Sequence, residues 1–482
     1  MTFNSGVCLA FIVFLSITIA IGLTTWRKVK TTEDYIFGSR SLGTVVTALA
    51  VETADMSAWL FMGLPGAIYI AGTGEMWIAL GLLIGTILNW TIVAKKIRIV
   101  SEKYKNTITI PSLFSKLIHT EYNLAIYLVK VLSSLIIIIY FTLYTASGFE
   151  AGGKFFSYTF GLNYYVSLLI TAAIIVCYTL LGGFLSISWN SVVQGIFMLA
   201  GIMAVPIAAF WVLGGLSGAF AVSPINNLSG GNLVIEIISS MSWALGYFGM
   251  PHILIRFMAQ KDVTKIRRSG FMAIVWCFIC LISAILIGEI GRSFVGNNSL
   301  NHLDSEKLFA LITENIFVIN GNFVLSFIGG LILCAVLAAI LSTVASQMLM
   351  VSSSVSVDLY STVIHGNLSA KKELLINRYV ALVVAIMSFL LAINPDNSVM
   401  DLVSTAWAGL GATFGPLVLL LLYWKKVTGS AAILGMLVGS MTVFAWPILP
   451  VVSAVYSILP GFILSFLIII VVSKLTLKKI SQ

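Results

Sequence analysis

Ala48-Leu49-Ala50-Val51-Glu52-Thr53-Ala54-Asp55-Met56-Ser57-Ala58-Trp59 sets two carboxylates in the middle of an apolar run, and Gly63-Leu64-Pro65-Gly66 follows it. Charged groups at membrane depth are costly, and by default they mark function. Glycine and proline weaken a helix, while serine and threonine can satisfy the backbone groups that are freed. The composition is that of a discontinuous helix, unwound around Thr53–Ser57. Bared carbonyl oxygens suit a small hard cation such as Na⁺. The competing reading is a continuous helix whose small residues let a neighbour approach closely.

The rest of the chain sets that stretch in a membrane. Of 482 residues, 59% are hydrophobic and 9% charged, against about 25% charged in a soluble domain. Mean hydropathy is +1.05. A water-soluble globule is excluded. A span needs about 20 apolar residues, and this rule gives about thirteen spanning segments. They centre near residues 15, 53, 82, 138, 173, 202, 243, 280, 336, 385, 411, 439 and 464. The first run, Val7 to Leu23, is followed by Trp26-Arg27-Lys28, the reverse of a secretory signal's charge order. It reads as a retained helix with its N-terminus outside.

The net charge of +9 then orders itself. Arg27, Lys28, Lys30 and Arg40 follow the first segment, and Lys95, Lys96, Arg98, Lys103, Lys105 and Lys116 follow the third. Further basic connections hold Arg256, Lys261, Lys265, Arg267 and Arg268, then Lys371, Lys372 and Arg378, then Lys425 and Lys426. The C-terminal tail holds Lys474, Lys478 and Lys479, while the alternate connections hold only Lys154, Arg292 and Lys307, and Lys130 sits at a helix end. This asymmetry places the C-terminus inside, and it makes the charge a topology signal rather than a nucleic-acid footprint.

Three more stretches break the apolar rule. Ser242-Trp243-Ala244-Leu245-Gly246-Tyr247-Phe248-Gly249-Met250-Pro251-His252 is a second interrupted span, five spans after the first. Two broken helices at matching positions point to inverted repeats with a site between them. The repeats run roughly over 42–213 and 232–423, with extra helices near 5–26, 429–448 and 454–474, all in one transmembrane domain over 1–482. In segment 9, Ala339, Ser342, Thr343 and Ser346 share a helix face. The Ala339 carbonyl and the hydroxyls of Ser342 and Thr343 fit an oxygen cage, unless the hydroxyls bond back to their own helix. Trp59, Tyr144, Trp243 and Tyr247 lie in spans with small neighbours and offer faces to an apolar ring; interfacial anchoring is the other use of such aromatics. His119, His302 and His365 lie in polar connections, and His252 reads as structural. Cys277-x-x-Cys280 has no second pair and no nearby histidine, so it reads as two small hydrophobes.

At these motifs the sequence resembles the sodium/solute symporter family. The resemblance covers nearly the whole chain and is carried by Asp34-Tyr35-Ile36-Phe37-Gly38-Ser39-Arg40-Ser41-Leu42-Gly43, Asp55-Met56-Ser57-Ala58-Trp59-Leu60 and Met62-Gly63-Leu64-Pro65-Gly66-Ala67. It continues in Tyr144-Thr145-Ala146-Ser147-Gly148, Gly182-Gly183-Phe184-Leu185, Gly246-Tyr247-Phe248-Gly249-Met250-Pro251-His252, Asp358-Leu359-Tyr360 and Ala406-Trp407-Ala408-Gly409. It implies an all-α, LeuT-like five-plus-five inverted repeat in a bacterial cytoplasmic membrane, moving Na⁺ and L-proline inward together. It places the sodium site on the backbones of Thr53 and Met56 and on Ala339, Ser342 and Thr343, with Asp55 nearby. The proline pocket falls on Ser57, Trp59, Tyr144, Trp243 and Tyr247, and Arg40 matches an arginine linked to ion coupling. The chain departs from the family at Glu52, where small residues are usual, and at Ala58, where glycine is common. Asn190-Ser191 follow Trp189 where many relatives carry an aspartate two positions on, which implies one Na⁺ per cycle.

No Walker sequence, GxSxG or HExxH is present. Neither an ATP-driven pump nor an enzyme is indicated. The same machine with another small solute is the nearest alternative. A passive channel is a second and a membrane sensor a third, although the segment after Lys474 is too short to be a signalling domain.

Overall fold

The computed structural model describes residues 4–26, 31–104, 107–120, 122–181, 183–222, 233–296, 300–319, 321–363, 370–449 and 455–480. Arg27, Lys28, Lys30, Lys105, Gly182 and His365 lie outside the described residues.

The described chain is helical. It runs through α1 (Ser5–Trp26), α2 (Thr32–Phe37), α3 (Thr44–Asp55), α4 (Gly63–Ala71), α5 (Met76–Leu88), α6 (Ala94–Lys103) and α7 (Ile110–Leu117). Then come α8 (Asn123–Phe160), α9 (Tyr164–Leu181), α10 (Phe184–Val212), α11 (Leu216–Ala219), α12 (Leu233–Met241), α13 (Pro251–Ala259) and α14 (Ile266–Val295). The last third holds α15 (His302–Ser305), α16 (Leu308–Phe317), α17 (Phe323–Ser353), α18 (Ser361–Val363), α19 (Ala370–Leu391), α20 (Val399–Tyr423), α21 (Gly429–Ala445) and α22 (Ile458–Ile480).

Among the described residues, ten helices are long and apolar enough to cross a membrane, and two bent pairs raise the number to twelve; Tyr164–Leu180 is a shorter apolar helix. Apolarity alone does not say which of them is central, because lipid and protein interior both accept apolar faces. Burial does. The apolar window of Val399–Tyr423 is 89% buried and that of Phe323–Tyr360 is 72% buried, against 28% for Lys372–Leu391. So α17 and α20 form the inner scaffold while α19 faces outward.

Both interrupted spans are found. Between α3 and α4 the direction turns by 72°, and between Leu233–Gly249 and α13 by 47°. The first break is narrower than the sequence suggests. Helix α3 stays wound to Asp55, and only Met56 and Ser57 leave it, with Met56 at φ −76°, ψ 82°. The Gly63-Leu64-Pro65-Gly66 stretch is not the break but the first turn of α4. Proline is tolerated there because the first-turn N–H groups have no intrahelical partner. At the second break, Ser242–Gly249 winds into a tight 3₁₀ turn and Pro251 opens α13. Gly246 is required by close approach: an added Cβ would sit 2.0 Å from Trp407 Nε1.

The basic connections gather at one end. Arg98 Nε donates to Gln260 O (2.6 Å) and Lys261 N to Leu42 O (2.9 Å), while His119 N donates to Val427 O (2.7 Å). Asp262 closes the turn before α14 by accepting from Thr264 Oγ1 (2.7 Å) and Thr264 N (2.9 Å), which hold its carboxyl below the usual range. Lys154 departs from its expected place in a connection. Helix α8 is 38 residues long and carries Lys154 inside, buried between Glu150 Oε1 (2.9 Å) and Glu306 Oε2 (2.7 Å).

Candidate functional site

The break after Asp55 changes where backbone groups bond. In an unbroken helix Ser57 N would donate to Thr53 O. Here it donates to Asp55 O instead (2.9 Å), while Met56 N still reaches Glu52 O (2.7 Å). The Thr53 carbonyl is thereby turned toward α17. Ser342 Oγ donates to it at 2.7 Å and Thr343 Oγ1 at 3.2 Å, and Ser342 Oγ also lies 3.1 Å from Ala339 O. Thr53, Ala339, Ser342 and Thr343 therefore meet at one point, every one of them at most 1% exposed. Met56 is fully buried at the break itself. The competing bond of Ser342 to its own helix is present, but it is the longer of the two.

Both carboxylates lie next to this point and neither meets a basic partner among the described residues. Asp55 Oδ2 accepts from Tyr247 OH at 2.6 Å, and Glu52 Oε1 from Trp90 Nε1 at 3.1 Å. Among the described residues, Asp55 Oδ1 and Glu52 Oε2 have no hydrogen-bond partner. A buried polar atom without a partner costs roughly 1–3 kcal/mol, and more when charged. Trp90 is offered to Glu52 from a wider turn at Asn89–Val93 between α5 and α6; such turns often occur at functional sites.

The aromatic residues close the other side. Trp59 Nε1 donates to Asp55 O (3.1 Å), fixing the indole across the break. Tyr247 meets Trp407 edge-on at 5.1 Å, and Trp407 Nε1 donates to Trp243 O (2.8 Å). Trp243 in turn stacks on Tyr456 at 4.9 Å. The buried Tyr144 hydroxyl lies against Ser57 and Trp59. The structure thus brings Ser57, Trp59, Tyr144, Trp243 and Tyr247 around the two breaks. A cavity of about 280 Å³ lined by Gly63, Glu75, Trp243, Glu306 and Asp401 reaches Trp243 from the end opposite the basic connections.

Arg40 lies elsewhere. Its guanidinium donates to Ser101 Oγ (3.0 Å), Ser101 O (2.8 Å) and Met258 O (3.0 Å), tying α6 to α13 at the basic end. Ser191, in place of the family's aspartate, bonds back to Ile187 O (2.8 Å). Sequence reasoning did not assign Trp407, Tyr456 or Trp90 to the site. Trp407 was visible as a large ring among small residues in Ala406-Trp407-Ala408-Gly409. Nothing in the sequence around Tyr456 or Trp90 announces a partner.

The profile of the sodium:solute symporter family matches residues 35–439. The osmoregulated proline transporter OpuE of Bacillus subtilis is 40% identical over 463 residues, covering 95% of this chain and 92% of its own. The sodium/proline symporter of Salmonella typhimurium is 38% identical over 486 residues, covering 98% and 94%. A Na⁺-coupled sialic acid symporter solved in a substrate-bound outward-open state superposes with a TM-score of 0.79 at 16% identity, covering 98% of both chains. That likeness shows a shared fold, the LeuT-like architecture.

Proposed function

The chain belongs to the sodium:solute symporter family, and from that premise we propose that it imports L-proline together with Na⁺ by alternating access across a bacterial cytoplasmic membrane. The observation that carries the reading is the convergence of the Ser342 and Thr343 hydroxyls on the Thr53 carbonyl at the break in the first interrupted span. Full-length relatives at about 40% identity are named proline transporters, which supports the choice of solute.

In this reading the two repeats span roughly 42–213 and 232–423, and each contributes one broken span to the site. The N-terminus lies outside and the basic end faces the cytoplasm. Na⁺ takes the place now filled by hydroxyl protons, with the oxygens of Thr53, Met56, Ala339, Ser342 and Thr343 around it. Asp55 supplies the nearby negative charge that a set of neutral ligands lacks. Sodium held between α3 and α17 fixes the break. This orders Ser57, Trp59, Tyr144, Trp243 and Tyr247 as a pocket for the pyrrolidine ring and its ammonium, which gains roughly 0.5–2 kcal/mol from an aromatic face. Glu52 and Arg40 set how tightly ion and solute are coupled.

The driving force needs no nucleotide. A potential of 100 mV is worth about 2.3 kcal/mol per charge, which supports roughly a 50-fold solute gradient. Uptake of labelled L-proline by proteoliposomes tests the reading. Accumulation driven by an inward Na⁺ gradient, and abolished without it, is the expected result. Equal uptake in both conditions overturns it.

A further inference from the structure

Helix α13 carries a charge that the mechanism above does not use. Arg256 is 1% exposed, yet no Asp or Glu lies within salt-bridge distance of it among the described residues. Among the described residues its guanidinium donates only to neutral oxygens: Ser346 Oγ at 2.5 Å and the His252 carbonyl one turn back. Arg256 Nε has no partner. A buried cation is ordinarily paired with an anion, because desolvating it alone is expensive. An arginine left half-satisfied in a buried interior is waiting for one.

Its place in the fold says which anion. Ser346 is one helical turn along α17 from Ser342, so Arg256 stands about one turn, ~6 Å, beyond the cation cradle toward the basic end. Polar side chains link the pocket to Arg256: the Tyr144 hydroxyl lies against Ser57 and Trp59, and the buried His252 ring lies against the Ala54 backbone. The Tyr144 and His252 rings meet edge-on with centroids 6.5 Å apart. His252 and Arg256 are successive turns of one face of α13. Tyr144, His252 and Arg256 thus follow one another from the aromatic pocket toward the basic end, and the series ends on a guanidinium fork, whose geometry matches a carboxylate.

We propose that Arg256 is the docking point for the substrate's carboxylate on its way out of the pocket, taking over from the pocket and exchanging its Ser346 contact for the anion as the solute moves toward the basic end. This rests on the amino-acid symport reading. Arg256 is a specificity-determining residue of the release path, not of the initial binding site. Its bond to Ser346 holds the path shut while the path is empty.

The test compares the full-length wild type, Arg256→Gln and Arg256→Lys in proteoliposomes, reading Na⁺-dependent equilibrium binding of L-proline and net L-proline uptake. Arg256→Gln should bind L-proline within about threefold of wild type while its uptake rate falls about tenfold or more. Arg256→Lys should restore most of the uptake, since it keeps the charge. A parallel loss of binding and uptake, unchanged uptake, or a lysine variant as slow as the glutamine variant overturns the proposal. So does a rise in proline-independent Na⁺ influx in Arg256→Gln, which would make the residue a cation barrier. A wild-type requirement for chloride that Arg256→Gln abolishes would name a different anion and overturn it too. A wild type without Na⁺-driven proline uptake instead overturns the symport reading itself.

Discussion

The two broken spans interrupt the membrane at matching positions, but they do so differently. The first breaks over two residues and turns by 72°, with Glu52 and Asp55 on its α3 side. The second loosens over the eight residues of Ser242–Gly249 and turns by 47°, with aromatic rings in the break and His252 and Arg256 beyond it. A sharp break frees a carbonyl and leaves it aimed at a neighbour, which suits a cation. A drawn-out 3₁₀ segment keeps its backbone bonded and uses its side chains as walls, which suits a ring. The buried carboxylates sit on the first span and the buried guanidinium on the second. Matching positions in the two repeats therefore do not mean matching chemistry.

The contrast has measurable edges. If the first span serves the ion, Asp55→Asn should raise the Na⁺ needed for half-maximal uptake about 100-fold, the equivalent of ~2.7 kcal/mol, with protein abundance unchanged. An unaltered Na⁺ requirement would break the division between the spans. If the second serves the solute, Trp243→Ala should raise the proline concentration for half-maximal uptake roughly 20-fold by removing a stacked aromatic wall, while Na⁺ affinity at saturating proline moves little. A variant that shifts both equally would merge the two roles. Ser342→Ala and Thr343→Ala should each raise the Na⁺ requirement about five- to tenfold, the worth of one hydroxyl contact of ~1–1.5 kcal/mol. The smallest change belongs to Glu52→Gln, which keeps an acceptor for Trp90 but removes the charge. A shift of about threefold in Na⁺ dependence is expected there, at constant proline affinity; uptake kinetics across a Na⁺ series would sharpen how far the acidic side extends.

Much of this was legible from local chemistry. Two carboxylates in an apolar run, a hydroxyl face at Ser342 and Thr343, and a proline after glycines in Gly246–Pro251 each signal themselves within a few residues. What stayed hidden depends on pairing across the fold. The first break proved narrower because Met56 N keeps its helical bond to Glu52 O, so Thr53–Asp55 stay wound, which no residue in that stretch signals. Lys154 looked like part of a connection because its two acidic partners, Glu150 and Glu306, come from the same helix and from a distant turn. Arg256 looked like one more topology-setting cation, and only burial separates it from Lys261 or Arg267.

Asp358 gives the long central helix a reach beyond the site. Its Oδ1 accepts from Thr109 Oγ1 (2.9 Å) and Ser112 Oγ (2.7 Å), the opening residues of α7, and Thr109 caps that helix. Thr343 and Asp358 are fifteen residues apart on nearly continuous helix, a rod of ~22 Å. If the oxygens around Thr343 hold Na⁺, a tilt of the rod on binding would be delivered to α7 as a lever stroke, and a fluorophore on the exposed Lys116 of α7 would read out ion occupancy ~22 Å away.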